Sequence, residues 1–362
     1  MELNRVAVVA TAQTQLRPAW NSAQHIDLIS AVVTSVFKGS GLTIDDVDFV
    51  IDSGSDVLDG RSISNCGFLG ALGAHHKEES RVEEDGLWAA LYGVTKIRSG
   101  TSGIGLIVAY SKPSESNVDA YWWSQCEPFL QRPVGFGQKA ALGIQAQRYL
   151  KDKGVSERDL AEIVARRYAD AAANGNVALD SVPDADAVLA SPDVALPLKQ
   201  AMLATPADGA VALLVAREDV ARRMNGPPVF VTGMGSSMDA HAFSSRAPGK
   251  LAACEAAAKM ARKAAGWNGQ SPDVAEISGA SVVGELMAME ALCVDPDKAE
   301  VNRSGGALPA DPIMATGLFR LAHATQQLSL PATYGLDAPK TAIVHGAGGV
   351  GMQNNCVFTL EV

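Results

Sequence analysis

What most constrains the fold is an order of elements that occurs twice along the chain. In the first run, residues 5–10 are unbroken apolar sequence after Arg5 and read as a buried strand. Residues 25–38 place Ile26, Ile29, Val32, Val33 and Val36 at helical spacing, closed by Gly39 and Gly41. A strand over 48–52, a helix over 86–99 and a strand over 105–110 follow, and residues 208–215 supply one more strand. The second run repeats this: a strand over 228–231, an Ala/Lys-rich helix over 250–265, a strand over 275–277, a helix from about Ala315 to Leu328, and strands over 341–344 and 356–360. Two copies of strand–helix–strand–helix–strand–strand imply a duplicated α/β unit. The Val/Ile/Leu-rich strands show little alternation, so each copy should bury a mixed sheet between helices. This makes layers α/β/α/β/α, with residues 1–117 and 200–224 as one half and 225–362 as the other. The intervening 118–199 form an inserted cap, with Tyr121-Trp122-Trp123 and Pro128-Phe129 as an aromatic cluster and a helix over 157–173. Long insertions after a strand build either binding surface or a packing element.

Composition narrows the function. With 362 residues, 47% of them hydrophobic, the chain can bury one large core or two fused ones. No apolar run approaches the ~18 residues that a membrane span needs. The residues from Met1 to Val6 start a strand and lack a signal-peptide core, so a cytoplasmic protein is expected. The five cysteines, Cys66, Cys126, Cys254, Cys293 and Cys356, show no CxxC spacing and read as reduced thiols with no metal site. A net charge of −10 without a dense basic run argues against nucleic acid.

The last sixty residues hold two glycine-rich turns. Ser304-Gly305-Gly306 leads to Asp311-Pro312-Ile313-Met314-Ala315-Thr316-Gly317, and His345-Gly346-Ala347-Gly348-Gly349 follows the strand over 341–344. Glycine lets another backbone or a ligand approach closely, so these turns read either as tight connections or as a site built from main chain.

These residues carry a resemblance. Gly305-Gly306 with Asp311 to Gly317 is similar to the GHPxGATG motif of the thiolase superfamily. Thr205-Pro206-Ala207-Asp208-Gly209-Ala210 is similar to its PVSDGAAA turn, and His345-Gly346-Ala347-Gly348-Gly349 to its HNxGG loop. Arg166-Arg167-Tyr168 with Ala172-Ala173-Asn174 resembles its cap segment. Spanning essentially the whole chain, the match resembles most the sterol-carrier-protein-type thiolases and lipid-transfer-type aldolases. It implies a thiolase-like fold, an oligomer, and acyl-CoA carbon–carbon chemistry, with a coenzyme A thioester as substrate or ligand and no covalently bound cofactor.

The catalytic positions depart from that pattern. Family thiolases attack with a cysteine of a CxSG motif at a helix N-terminus, a setting that favours the thiolate. The corresponding stretch here is Val82-Glu83-Glu84-Asp85-Gly86-Leu87-Trp88. The HDAF histidine is replaced within Ser278-Gly279-Ala280-Ser281, and the GHP histidine by Asp311. Only His345 keeps a polar residue of the family's active site. Lost oxyanion donors of this kind are worth ~3–4 kcal/mol each.

Two classes of function follow. One is a degenerate subunit of a heteromeric thiolase or acyltransferase complex, partnered by itself, by a second thiolase-like chain, or by a small zinc-ribbon/OB-fold protein. The other is a cofactor-free retro-aldol lyase for a β-hydroxyacyl-CoA, which needs a base and an enolate stabiliser but no nucleophile. The candidate catalytic residues are His345, Asp311, Asp85 and Tyr121. Bland roles stand beside them: a turn cap for His345, the start of an Asp-Pro turn for Asp311, a helix N-cap for Asp85. Arg166, Arg167, Lys250, Gly348 and Gly349 are the candidates for holding coenzyme A.

Overall fold

The computed structural model describes residues 4–60 and 63–362. The first half contains β1 (Val6–Gln13), α1 (His25–Phe37), β2 (Phe49–Ser53), the short helices α2 (Asp56–Asp59) and α3 (Leu69–Leu72), β3 (Glu78–Val82), α4 (Gly86–Arg98) and β4 (Ile104–Ser111). The insertion holds α5 (Val118–Ser124), α6 (Gln138–Lys153), α7 (Glu157–Asn174), α8 (Ala185–Ala190) and a small hairpin of β5 (Asp193–Ala195) and β6 (Leu198–Lys199). Then come β7 (Gly209–Arg217), α9 (Glu218–Ala221), β8 (Val229–Met238), α10 (Ala252–Ala265), β9 (Val274–Ile277), α11 (Val282–Ala291), β10 (Glu300–Val301), α12 (Thr316–Ser329), β11 (Thr341–Gly348) and β12 (Asn354–Glu361).

The duplication is explicit in the strand order β10-β9-β11-β12-β8-β1-β7-β4-β2-β3. Outward from the centre, each half repeats the same pairings. In one, β1, β7 and β4 are antiparallel and β4, β2 and β3 parallel; in the other, β8, β12 and β11 are antiparallel and β11, β9 and β10 parallel. The halves do not remain two separate sheets. β1 and β8 pair edge to edge through Val6–Val231, Ala7–Phe230 and Val8–Val229, which removes one exposed edge from each.

Alternate strand residues point to opposite faces, and here both faces are covered. Ile51, Leu213 and Val344 meet α4 and α12 in the central layer, through Leu87, Val94, Leu318 and Phe319. Their neighbours Val50 and Leu214 face α1, which offers Leu28, Ile29, Val32 and Val36. Ile343 and Ile277 face α10 and α11, through Ala257, Ala261, Val283 and Met287. Each such leucine, isoleucine or phenylalanine contributes about 1.5–3 kcal/mol by leaving water. Five layers result: α1, sheet, α4 with α12, sheet, and α10 with α11. Among the described residues, no helix is long and apolar enough to cross a membrane.

Candidate active site

A cavity of about 550 Å³ opens beyond the carboxyl ends of the parallel pair β9 and β11, the usual place for a ligand in open α/β sheets. Its walls come from the loop at residues 278–280, the stretch from Ala307 to Thr316, and residues 347–349 at the end of β11. The insertion roofs it with Asn117 and Trp122 at α5 and with Gln138 and Lys139 at the start of α6.

Residues 304–316 hold their course because of what packs against them. Gly305 sits at φ +102°, and a Cβ there would lie 2.5 Å from that of Ala171 on α7, so only glycine lets the loop approach that helix. Asp311 donates its backbone N–H to Thr205 O at 2.7 Å, tying this loop to the turn before β7. Its carboxylate, facing the cavity, accepts a hydrogen bond from the Thr316 hydroxyl. Burial pushes the Asp311 carboxyl up to about 6, against the opposing pull of Thr316 and of Arg320. A carboxyl so placed changes protonation near neutral pH, which suits a general base.

Asp85 is wholly buried at the N-cap of α4. One carboxylate oxygen accepts from Leu87 N–H at 2.9 Å and the other from Gly317 N–H at 2.8 Å, so a single side chain caps α4 and grips the first turn of α12. A Cβ on Gly317 would lie 2.1 Å from that carboxylate, which requires glycine there. Burial pushes the Asp85 carboxyl up to about 8, although the two N–H donors pull it down. Asp85 does not line the cavity. Beside it, Glu84 accepts from its own neighbour's N–H at 3.2 Å and from the Asn354 amide at 2.7 Å, and burial raises its carboxyl as well.

His345 corrects the expectation of a residue in a turn after a strand. β11 continues to Gly348, so the ring is enclosed within the sheet and fully buried. Asn355 donates its amide to Met352 O at 3.0 Å, which leaves its carbonyl oxygen to accept from His345 Nε2–H at 2.9 Å. Burial lowers the imidazole to about 4, and it is neutral at physiological pH. Its carbonyl accepts Ser278 N–H at 3.2 Å, so His345 positions the 278–280 wall while its ring stays outside the cavity lining.

Tyr121 is buried on α5 with its hydroxyl 3.7 Å from Met314 Sδ, and it lines a smaller depression with Glu83 and Glu84. Burial raises its phenol further, making it a poor base. Of the candidates for holding coenzyme A, Gly348 and Gly349 line the cavity. Arg167 is a correction: it points inward from α7, with Nε 2.8 Å from Glu285 Oε1 and Nη1 2.7 Å from Val301 O, and is committed there. Arg166 is exposed on α7 outside the cavity lining, and Lys250 sits at a separate depression beside Arg148 and Glu255. The cation in the cavity lining is Lys139, 2.8 Å from Asp119. Its place at the mouth depends on α6, whose weak apolar periodicity gave no helix signal.

Among the described residues, no cysteine lines the cavity. Cys126 and Cys356 are buried, and at α4 a Cβ on Gly86 would lie 2.6 Å from that of Leu318. The N-terminus that holds the nucleophile in the resembling family is therefore capped and packed shut.

The fold defined by these halves and this cavity is thiolase-like. No protein-family model matches the sequence, and no curated protein matches it. Among solved structures, the chain superposes on one titled "Ltp2-ChsH2(DUF35) aldolase" with a TM-score of 0.83 at 17% identity, covering 100% of this chain and 99% of that one. It also superposes on human mitochondrial 3-ketoacyl-CoA thiolase with a TM-score of 0.76 at 18% identity, covering both chains fully.

Proposed function

We propose that this chain binds an acyl-CoA thioester without forming an acyl-enzyme, as a subunit of a thiolase-fold assembly. The observation that carries the reading is the contrast at one place: the cavity is retained, while the α4 N-terminus ends in a buried Asp85 that already holds two N–H groups. Carboxyls at Glu84, Asp85 and Asp311 stand on this side of the site where the resembling family keeps a thiol and a histidine, which supports a role other than conventional thiolysis. Assembly partners consistent with this reading are a second copy, a second thiolase-like chain, or a small zinc-ribbon/OB-fold protein. The test is the composition of the assembly isolated from its native source, together with incubation in radiolabelled acetyl-CoA. A second thiolase-like chain and no covalent label on this one are expected. A homodimer that becomes acylated overturns the reading.

A second reading has its own observation, the Asp311 carboxyl pushed up to about 6 inside the cavity. In a retro-aldol cleavage Asp311 would take the β-hydroxyl proton of a β-hydroxyacyl-CoA. The Cα–Cβ bond then breaks, its electron pair passes to the thioester as an enolate, and protonation at Cα releases an acyl-CoA and a carbonyl compound. The aldolase named among the structural relatives supports this reading in kind. Release of a carbonyl product from a β-hydroxyacyl-CoA panel tests it, and absence of product across the panel removes it.

A further inference from the structure

The roof of the cavity grips the turn that follows β11. Gly351 offers one N–H and one carbonyl, and α6 takes both. Gln138 Oε1 accepts the N–H at 2.7 Å, and Gln145 Nε2 donates to the carbonyl at 3.0 Å. Spaced seven apart, these glutamines lie two turns along one face of the helix. Gly351 sits at φ +63°, and a Cβ there would come within 2.9 Å of the Phe243 ring and 3.4 Å of Ala141 on α6, so glycine lets helix and turn meet. The grip orients a side chain as well as a turn. A carboxamide can meet an N–H only with its oxygen, so Gln138 has one orientation, with Oε1 on Gly351 and the NH2 on the other branch of the amide. Gln138 lines the cavity, and among the described residues no group accepts from its Nε2.

We infer that Gln138 Nε2 is the donor that meets the carbonyl oxygen of a bound thioester; the inference rests on the acyl-thioester reading and names a substrate-contacting residue for it. The two histidine donors of the resembling family are absent here, with the 278–281 stretch and Asp311 in their place. Other donors around the cavity are spent. Thr316 donates to Asp311, Ser116 donates to Leu58 O, and Lys139 is paired with Asp119 at 2.8 Å. The Ser278 hydroxyl is shut off from the open space. Asn117 also commits its amide oxygen, to Ala120 N–H at 3.0 Å, but it is an exposed residue. The Gln138 amide is half-buried and held still by a turn that Gln145 secures from its other side. Such a donor needs no reorganisation when a carbonyl oxygen arrives, and it gains strength if that oxygen takes on enolate charge. The donor thus comes from the insertion and from neither half of the duplicated fold.

The experiment is isothermal titration calorimetry of the full-length protein at pH 8 with acetyl-CoA and hexanoyl-CoA, each beside the thioether in which a methylene replaces the carbonyl. The parent is expected to bind each thioester roughly three- to tenfold more tightly than its thioether, the worth of one hydrogen bond. Gln138→Glu keeps an oxygen for Gly351 N–H and exchanges the donor for a second acceptor. It should bring that ratio to one or below, with a melting temperature close to the parent's. Its added charge acts on both members of a pair and cancels in the ratio. Gln138→Met loses the grip and the donor together, so it should lose the preference and melt earlier. Equal affinities for thioester and thioether in the parent overturn the inference, as does a thioester preference kept by folded Gln138→Glu or Gln138→Met protein. Failure of the acyl-thioester reading looks different: neither the thioesters nor the thioethers then bind the parent.

Discussion

The two halves share one topology and treat their central parallel strand in opposite ways. Each buries a carboxylate at the next-to-last residue of that strand: Asp52 on β2 and Glu276 on β9, both fully inaccessible. Glu276 is saturated, accepting from Ser304 N–H and Oγ–H, from Gln327 at 2.6 Å and from Arg320 at 2.9 Å. These bonds lock the 304–316 loop and α12, and so fix the cavity wall. Asp52 instead shares Arg81 with Asp56, Asp59 and Glu83. Burial pushes its carboxyl up to about 7. The same scaffold thus uses a buried acid once to rigidify a ligand-facing loop and once in an acidic cluster that one arginine cannot neutralise.

Arg320→Met should be the most destructive change. It leaves Glu276 buried without its countercharge, at a cost of roughly 3–5 kcal/mol in urea unfolding. Arg81→Met should cost less than half as much, because Asp52 can take up a proton; the reverse order would break the comparison. Asp85→Ala removes the α4 cap and strands Gly317 N–H, for about 2–4 kcal/mol in the same measurement. Under the retro-aldol reading, Asp311→Asn should lower turnover about 100-fold, with a melting temperature close to the parent's. Equal kcat values would remove Asp311 from the chemistry.

The smallest effect is a pH slope. Asp85 has its folded carboxyl raised from an ordinary 3.8 to about 8, so its contribution is present in full below about pH 4 and is lost as pH rises through 8. Asp52 acts the same way up to about 7. His345, lowered to about 4, works in the opposite sense, its contribution fading as pH falls from the ordinary 6.5 through 4. The stability of Asp85→Asn, followed by urea unfolding from pH 4 to 8, should therefore decline less steeply than that of the parent. Parallel profiles would show that Asp85 keeps its charge.

Much of the fold was legible because strand and helix periods are local. The helical spacing of Ile29, Val32 and Val36 and the apolar runs at 208–215 and 341–344 are written in consecutive residues. β3, Glu78-Glu79-Ser80-Arg81-Val82, was not legible, because an edge strand with four polar residues shows no alternation; parallel pairing with β2 makes it a strand. The valine- and methionine-rich α11 escaped because its apolar residues run nearly all round, with α10 and the second half's sheet on one side and the insertion's helices on the other. Of the candidate site, Asp311, Gly348 and Gly349 reached the cavity, and motif similarity had found all three. Trp122, Gln138 and Lys139 reached it through the packing of the insertion over the second half, which no local pattern encodes.

The sequence by itself determined the duplicated order of elements, the capping chemistry of Asp85 and the missing thiol at α4, since each depends on residue type and short spacing. Only the tertiary structure decided that His345 faces inward, that Arg167 is consumed by Glu285, and that the insertion roofs the cavity. Those outcomes turn on which face of a strand or helix meets which neighbour, and residues more than a hundred positions apart set that together.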